Sequence, residues 1–267
     1  MPEGHTVHRI ANEFNRLFRG TEVQLTSPQG RFSAGAAMLS GNKLKQANAV
    51  GKQMFLLFEN GQTLRIHLGI FGKWAFKTLG EGEAPADPYG EVRVRFRNEK
   101  TYADLRGPTI CEVINPAEVQ LVLDRLGPDP LNPDPDGLER DRFVARVQKS
   151  RSSIGLLLMN QAVISGIGNV YRAEMLFRAG ISPHDLGNRL STEQLHSLWD
   201  DAVALLKVGV KKGVMITRDE LFTKRPTKAE RNFVYKREGL PCRVCGTNVS
   251  IEIMAARKLY WCTSCQK

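Results

Sequence analysis

Four cysteines near the C-terminus carry the spacing of a metal site. Cys242-Arg-Val-Cys245 and Cys262-Thr-Ser-Cys265 are two C-x2-C pairs with 16 residues between them. Two residues between ligands let both thiolates of a tight turn face one ion. Two such turns complete a tetrahedral shell with no open position for catalysis. The pattern predicts one structural Zn2+, and a module this small draws much of its folding free energy from the metal. Between the pairs, VSIEIM and KLYWC read as strands joined by AAR, a β-hairpin with Arg257 near its tip. A guanidinium there can fork onto a phosphate. The fifth cysteine, Cys111, lies in the alternating stretch TICEVI and suits a small buried position. An odd cysteine count argues against a disulfide framework.

Two further stretches have chemical content. In SGIGNVYRAEMLF, Gly166 and Gly168 permit a tight turn and Asn169 stands where a helix N-cap belongs. N–H groups at a helix start behind such a turn make an anion site suited to a phosphate. It lacks the lysine of a nucleotide P-loop and no strand precedes it, so a plain helix–helix turn is the alternative. The chain also opens MPEGHTVHRI. Pro2 either simply starts a helix, where its missing N–H costs nothing, or becomes a free secondary amine once Met1 is removed. A terminal amino group titrates at about 8 and a lysine at about 10.4, so at neutral pH far more of the former is neutral and nucleophilic. With Met1 attached, the Pro2 nitrogen is a tertiary amide and cannot attack.

Charge points to the partner. The 267 residues carry a formal net charge of +10. From Leu205 to Lys267 there are 14 Lys and Arg against 5 Asp and Glu, so nearly all of the excess lies in the last quarter. Polyanions such as nucleic acid suit that region, through phosphate contacts and counterion release. A solvated basic face is the alternative. The 42% hydrophobic and 25% charged fractions are those of a soluble globular chain with room for two cores. No apolar run reaches membrane-spanning length and no signal peptide is visible, so the expectation is a cytoplasmic protein without a membrane partner.

The elements that must position these groups fall into two classes. Val7, Ile10, Ala11, Phe14 and Phe18 recur at helical steps. QMFLLF, QTLRIHL, KWAFKT and EVRVRFR then read as strands; in the last, Val92, Val94 and Phe96 alternate with Arg93, Arg95 and Arg97, so one face is apolar and the other basic. GPDPLNPDPDG, residues 127–137, suits an extended, solvated linker. Helical patterns follow in LERDRFVARVQ, IGLLLMNQ, VYRAEMLFRAG and STEQLHSLWDDAVALLKVGV, the last opened by a capping box from Ser191 to Gln194. Residues 213–238 show no period and read as a mobile loop. Strands first and helices later predict an α+β protein.

Taken together, the M-P-E start, VGKQ around Lys52, HLGIFG, DLRG, RLGPDPL, GIGNVYRAE and FVYKREGLPC running into the four-cysteine hairpin resemble the formamidopyrimidine-DNA glycosylase/endonuclease VIII family over essentially the whole chain. The resemblance implies an antiparallel β-sandwich with flanking helices over residues 1–126, a linker over 127–137, a helix–two-turns–helix domain over 138–230 and a zinc finger over 231–267. It implies a base-excision-repair glycosylase with lyase activity, acting as a monomer on double-stranded DNA that carries an oxidised base or an abasic site, in the bacterial cytoplasm at the nucleoid, with the DNA between the two domains. Pro2 would be the nucleophile, Glu3 the general acid/base and Lys52 the cation at the phosphate and in the transition state. Asn169 and Arg257 would grip phosphates, Glu174 would be a buried acid after the turn, and Arg106 would face the DNA. Ile70 and Phe71, between Gly69 and Gly72, would fill the hole left by a flipped base.

Departures from the family pattern bear on specificity. Arg106-Gly107-Pro108 has no aromatic where the purine-directed branch carries an Arg followed by an aromatic wedge, and the start is Pro2-Glu3-Gly4; both favour oxidised pyrimidines. His5-Thr6 replaces the Pro-Glu usual in the first helix, and HLG resembles the purine-directed branch. The competing readings are an 8-oxoguanine- or formamidopyrimidine-directed enzyme, a non-catalytic lesion-binding protein on the same scaffold, and an unrelated zinc-ribbon RNA-binding protein.

Overall fold

A computed structural model describes residues 2–267. The chain divides into two compact units. The first comprises Pro2 with Val7–Arg125, the second Glu3–Thr6 with Leu126–Lys267. The class is α+β, as expected.

In the first unit, helix α1 (Gly4–Phe18) leads from Val7 onward into an all-antiparallel sheet. Its strands are β1 (Glu22–Thr26), β2 (Asn42–Val50), β3 (Gln53–Phe58), β4 (Thr63–His67), β5 (Lys73–Thr78), β6 (Val92–Arg97), β7 (Thr101–Arg106) and β8 (Ile110–Ile114). Their order is β5-β7-β6-β1-β2-β3-β4-β8. β1 and β2 pair through only two residue positions, which divides the strands into two sets of four. The two sets close on one core: Phe58 of β3 lies 6.2 Å, ring to ring, from Phe96 of β6. α1 adds its apolar stripe Val7, Ala11, Phe14 and Phe18, with Phe14 edge-on to Trp74, Phe76 and Phe96 at 4.8–5.2 Å. Such edge-to-face contacts suit the ring quadrupole.

Two short helices complete this unit, α2 (Ser33–Leu39) and α3 (Pro116–Leu123). α3 has a full capping box, Asn115 with Glu118, and Pro116 in its first turn. That signal is plain in Asn-Pro-Ala-Glu. The alternation in β6 misleads in one place. Arg95 is buried rather than solvated, because Asp104 of β7 takes its guanidinium at 2.6 and 2.9 Å.

The second unit is built on α4 (Leu138–Gln148), α5 (Ile154–Leu157), α6 (Asn169–Arg178) and α7 (Thr192–Lys212), with the hairpin β9 (Ser250–Met254) and β10 (Arg257–Trp261). Ser191 and Gln194 form the expected capping box of α7. IGLLLMNQ holds only a single helical turn, not a full helix. The linker expectation fails over residues 127–130, which are buried. Gly127 is so close to Val163 that a Cβ would stand 2.6 Å from its carbonyl carbon. Residues 213–238 are irregular, as expected, but not loose: Ile216, Thr217 and Val234 are buried.

Candidate active site and nucleic-acid interface

Within the first unit, Pro2, Val7, Lys52, His67, Leu68 and Gly69 line one small cavity. Lys52 sits in the tight turn between β2 and β3, and His67 ends β4. The sheet pairs Gln53 with His67, which brings the turn carrying Lys52 beside that histidine. Burial first, and then the charges of Lys52 and Arg65, lower the His67 pKa from 6.5. The imidazole is therefore neutral at neutral pH and keeps a lone pair. Spacing alone gives His67 no role beyond its place in HLGIFG, and only the β3–β4 register reveals its neighbours.

Residues 68–72 turn directly out of this cavity. Gly69 has φ +64°, and the Gly72 N–H donates to the Leu68 carbonyl at 2.8 Å. A Cβ on Gly72 would stand 2.3 Å from that oxygen, so the turn requires glycine there. At its tip Ile70 is 50% and Phe71 83% exposed. Arg106, at the end of β7, pairs with Asp104 at 3.1 Å and donates from Nε to the Tyr89 carbonyl at 3.0 Å.

Within the second unit, the Gly-rich turn does make an anion site, and a carboxylate of the chain fills it. Glu3 is buried, and its oxygens accept from the backbone N–H groups of Gly168 (2.9 Å), Val170 (2.9 Å) and Tyr171 (3.4 Å). The α6 dipole favours the same negative charge. Gly168 must be glycine, since a Cβ would lie 2.4 Å from the Glu3 carboxyl carbon. This corrects the expectation of a phosphate at that turn. It also corrects the cap: Gly168 occupies the N-cap position and Asn169 is the first helical residue. The Asn169 side chain is committed within the protein. Its oxygen accepts from Arg172 at 2.5 Å, its nitrogen donates to the Lys258 carbonyl at 2.8 Å, and it also reaches the Tyr235 hydroxyl.

Glu174 is wholly buried and cannot face DNA directly. It accepts from Thr217 Oγ1 (2.5 Å) and from the backbone N–H groups of Phe233 (2.7 Å), Val234 (2.8 Å) and Tyr235 (2.7 Å). Four donors on one carboxylate pin the stretch that leads into the cysteine module. Arg257 opens β10 after a two-residue turn, Ala255-Ala256, in which both residues have φ +54°. That is the left-handed geometry of a tight hairpin turn. His5 is buried with its ring edge-on to Tyr171 at 5.4 Å, and Thr6 Oγ1 lies 3.1 Å from its Nε2.

The four cysteine sulfurs lie within 4.8 Å of one another. Cys242 and Cys265 are 3.9 Å apart and Cys245 and Cys262 3.5 Å. A tetrahedral ion with bonds of about 2.3 Å spaces its thiolates by about 3.8 Å, so the set fits zinc.

Known proteins place this arrangement. Residues 1–111 match the formamidopyrimidine-DNA glycosylase N-terminal domain, and residues 126–220 match the formamidopyrimidine-DNA glycosylase H2TH domain. The chain belongs to the formamidopyrimidine-DNA glycosylase/endonuclease 8 family. That makes it a DNA-repair enzyme of the glycosylase and abasic-site lyase type, as its motifs imply. Among relatives, endonuclease 8 1 of Mycobacterium tuberculosis is 42% identical over 273 residues, covering all of both chains. An endonuclease 8 of Escherichia coli is 28% identical over the full length of both. The formamidopyrimidine-DNA glycosylase of Geobacillus kaustophilus is 31% identical over 87% of this chain and 84% of its own. The fold matches that of Lactococcus lactis formamidopyrimidine-DNA glycosylase bound to DNA with an abasic site, with TM-score 0.80 and 22% identity over 99% of both chains. It also matches MutM in complex with DNA containing carbocyclic 8-oxo-G, with TM-score 0.81 and 23% identity over both full chains. Membership in this family removes the RNA-binding zinc-ribbon alternative.

Proposed function

We propose that this family member excises oxidised pyrimidines from double-stranded DNA with the Pro2 amine as nucleophile, and then cleaves the abasic strand. The observation that carries the reading is the cavity shared by Pro2, Lys52 and His67, from which the turn bearing Ile70 and Phe71 emerges. A nucleotide presented to that cavity has left the stack, and the two apolar side chains suit the gap it leaves.

The chemistry follows from a neutral secondary amine. Its lone pair attacks C1′, the bond from C1′ to the base breaks, and the base leaves with a proton. Opening of the sugar ring, with a proton delivered to O4′, leaves a cationic iminium between Pro2 and C1′. The iminium acidifies the C2′ proton. Removing that proton expels the 3′ phosphate by β-elimination, and a second elimination expels the 5′ phosphate. Hydrolysis then frees Pro2. Glu3 is the group for the O4′ proton, being next in the chain, and must exchange one of its α6 hydrogen bonds to act. The Lys52 charge offsets the flanking phosphate and the charge that develops in the transition state. Arg257 takes the phosphate contact at the hairpin tip, and Asn169, bound to Lys258, keeps that tip in place. Cys242, Cys245, Cys262 and Cys265 would hold a zinc ion in a closed four-thiolate shell, which would keep the hairpin folded.

Pyrimidine preference is supported by the missing aromatic after Arg106 and by the 42% identity to an endonuclease 8. The enzyme acts as a monomer at the nucleoid. The test is borohydride trapping on DNA containing 5-hydroxyuracil, 8-oxoguanine or an abasic site. Chain lacking Met1 is expected to form a covalent adduct, fastest on 5-hydroxyuracil among the two bases. Chain with an added residue before Pro2 is expected to form none. A processed chain without any adduct would show a lesion-binding protein instead, and faster reaction with 8-oxoguanine would overturn the pyrimidine assignment.

A further inference from the structure

The most exposed large apolar side chains among the described residues are Tyr89, at 87%, and Phe71, at 83%. Both stand at the same end of the first unit's sheet. Phe71 precedes β5, whose first residue Lys73 pairs with Arg106, the last residue of β7. Arg106 in turn pairs with Val92, the first residue of β6, and Tyr89 lies three residues before it. The Ile70–Phe71 turn, Arg106 and Tyr89 therefore follow one another along this end of the β5-β7-β6 set, and the Pro2 cavity adjoins the turn through Leu68 and Gly69. Adjacent strands are about 4.8 Å apart, so Tyr89 is displaced by about two strand spacings from the turn.

The main chain under Tyr89 is anchored while its ring is bare. Arg106 Nε donates to the Tyr89 carbonyl at 3.0 Å, and Arg95 Nη1 donates to the Ala86 carbonyl at 2.7 Å. Asp104 ties the two guanidinium groups together. The next residue, Gly90, turns with φ +69° and accepts from the Val92 N–H at 2.9 Å. Arg106 is linked to the Phe71 turn as well, since the Cβ position of Gly107 lies 3.4 Å from the Phe71 carbonyl. A large ring held in water on an anchored backbone needs only its own rotamer fixed on binding, and suits a planar partner.

We infer that Tyr89 stacks on the base left unpaired in the strand opposite the lesion, supplying from the β5–β6 loop the aromatic surface that Arg106-Gly107-Pro108 lacks. This inference rests on the proposed function. When Pro2 holds a nucleotide out of the duplex and the 70–71 turn fills its place, the partner base loses its hydrogen bonds and one stacking face. Tyr89 stands two strands from that turn at the same end of the β5-β7-β6 set, where its bare ring can meet a base of the unattacked strand.

The test compares Tyr89→Phe, Tyr89→Leu and Tyr89→Ala with the parent enzyme. The readout is affinity for a duplex with a tetrahydrofuran abasic analogue, divided by affinity for the same strand alone. Base–aromatic stacking predicts that Ala and Leu lower this ratio about tenfold, while Phe leaves it within about twofold. The Ala variant is also expected to lose discrimination among the four opposite bases. An unchanged ratio in Tyr89→Ala, or full rescue by Leu, would overturn the inference. Borohydride trapping of the parent enzyme on single-stranded abasic DNA keeps the two readings apart. An adduct with an unmoved ratio overturns Tyr89 alone, whereas no adduct overturns the Pro2 mechanism itself.

Discussion

His67 shows how a single side chain acquires a role from its surroundings. Its pKa is lowered from 6.5 by burial and by the charges of Lys52 and Arg65. Below about 6.5 the unfolded chain takes up a proton that the folded chain resists, so this site contributes stability that is present above that pH and lost as pH falls toward the lowered folded value. Thermal melts from pH 7.5 to 5 are expected to be shallower in pH for His67→Gln than for the parent, and equal slopes would refute the assignment. Glu174 is the second case. Removing its carboxylate leaves three backbone N–H groups without their acceptor, while the Thr217 hydroxyl keeps the Arg231 carbonyl at 3.1 Å. Glu174→Ala is expected to cost about 3 kcal/mol in denaturant unfolding, because each buried unsatisfied donor costs about 1–3 kcal/mol and some regain water. Faster amide exchange at residues 233–235 would locate the loss.

At the scale of elements, close approach of helices in the second unit depends on glycine, and Gly209 is the clearest case. Gly209 of α7 faces the α1 start and α6, and a Cβ there would meet the Tyr171 hydroxyl at 2.5 Å and the His5 ring at 2.7 Å. Gly209→Ala gains helix propensity yet is expected to lose about 1–3 kcal/mol through overpacking. Differential scanning calorimetry measures it, and a stabilised variant would show that α7 can shift. The same contact gives the unusual His5-Thr6 pair a structural account: His5 fills the space between Tyr171 and Gly209, which leaves it little access to a substrate. In the hairpin, Ala255 and Ala256 hold a turn that glycine or asparagine would occupy with less strain. That geometry sets where Arg257 emerges.

Across the whole molecule, the basic excess and the four-cysteine cluster fall at the same end of the chain. Fourteen basic residues from Leu205 onward predict DNA affinity that falls steeply with salt. Replacing Arg257 with alanine is expected to reduce the slope of log affinity against log salt by about 1, and to weaken matched and mismatched duplexes alike. An unchanged slope would remove Arg257 from the phosphate contacts. Chelation is expected to release one zinc per chain and to abolish tight DNA binding. Binding that survives complete zinc removal would separate the hairpin from the interface.

Local chemistry was legible in the residues themselves. Ligand spacing, capping boxes, helical and alternating periods, and the glycines of the 69–72 turn all act over a few residues, and each leaves its trace in order and spacing. Arg95 marks the limit of that trace, since alternation tells which face a residue shares but not that Asp104 waits on it. The partners that make the site came from far along the chain. Glu3 caps a helix 165 residues away, Glu174 holds residues 59 to 61 positions on, and Pro2 meets Lys52 and His67 only because two strand ends and a helix start converge. Sequence alone determined which groups are chemically able to act: a proline that becomes a free amine once Met1 is removed, four thiols at metal-ligand spacing and a helix start open to an anion. Tertiary structure decided that the anion is the chain's own Glu3, because a buried carboxylate and unpaired N–H groups satisfy one another wherever the fold brings them together, and no spacing rule records that meeting.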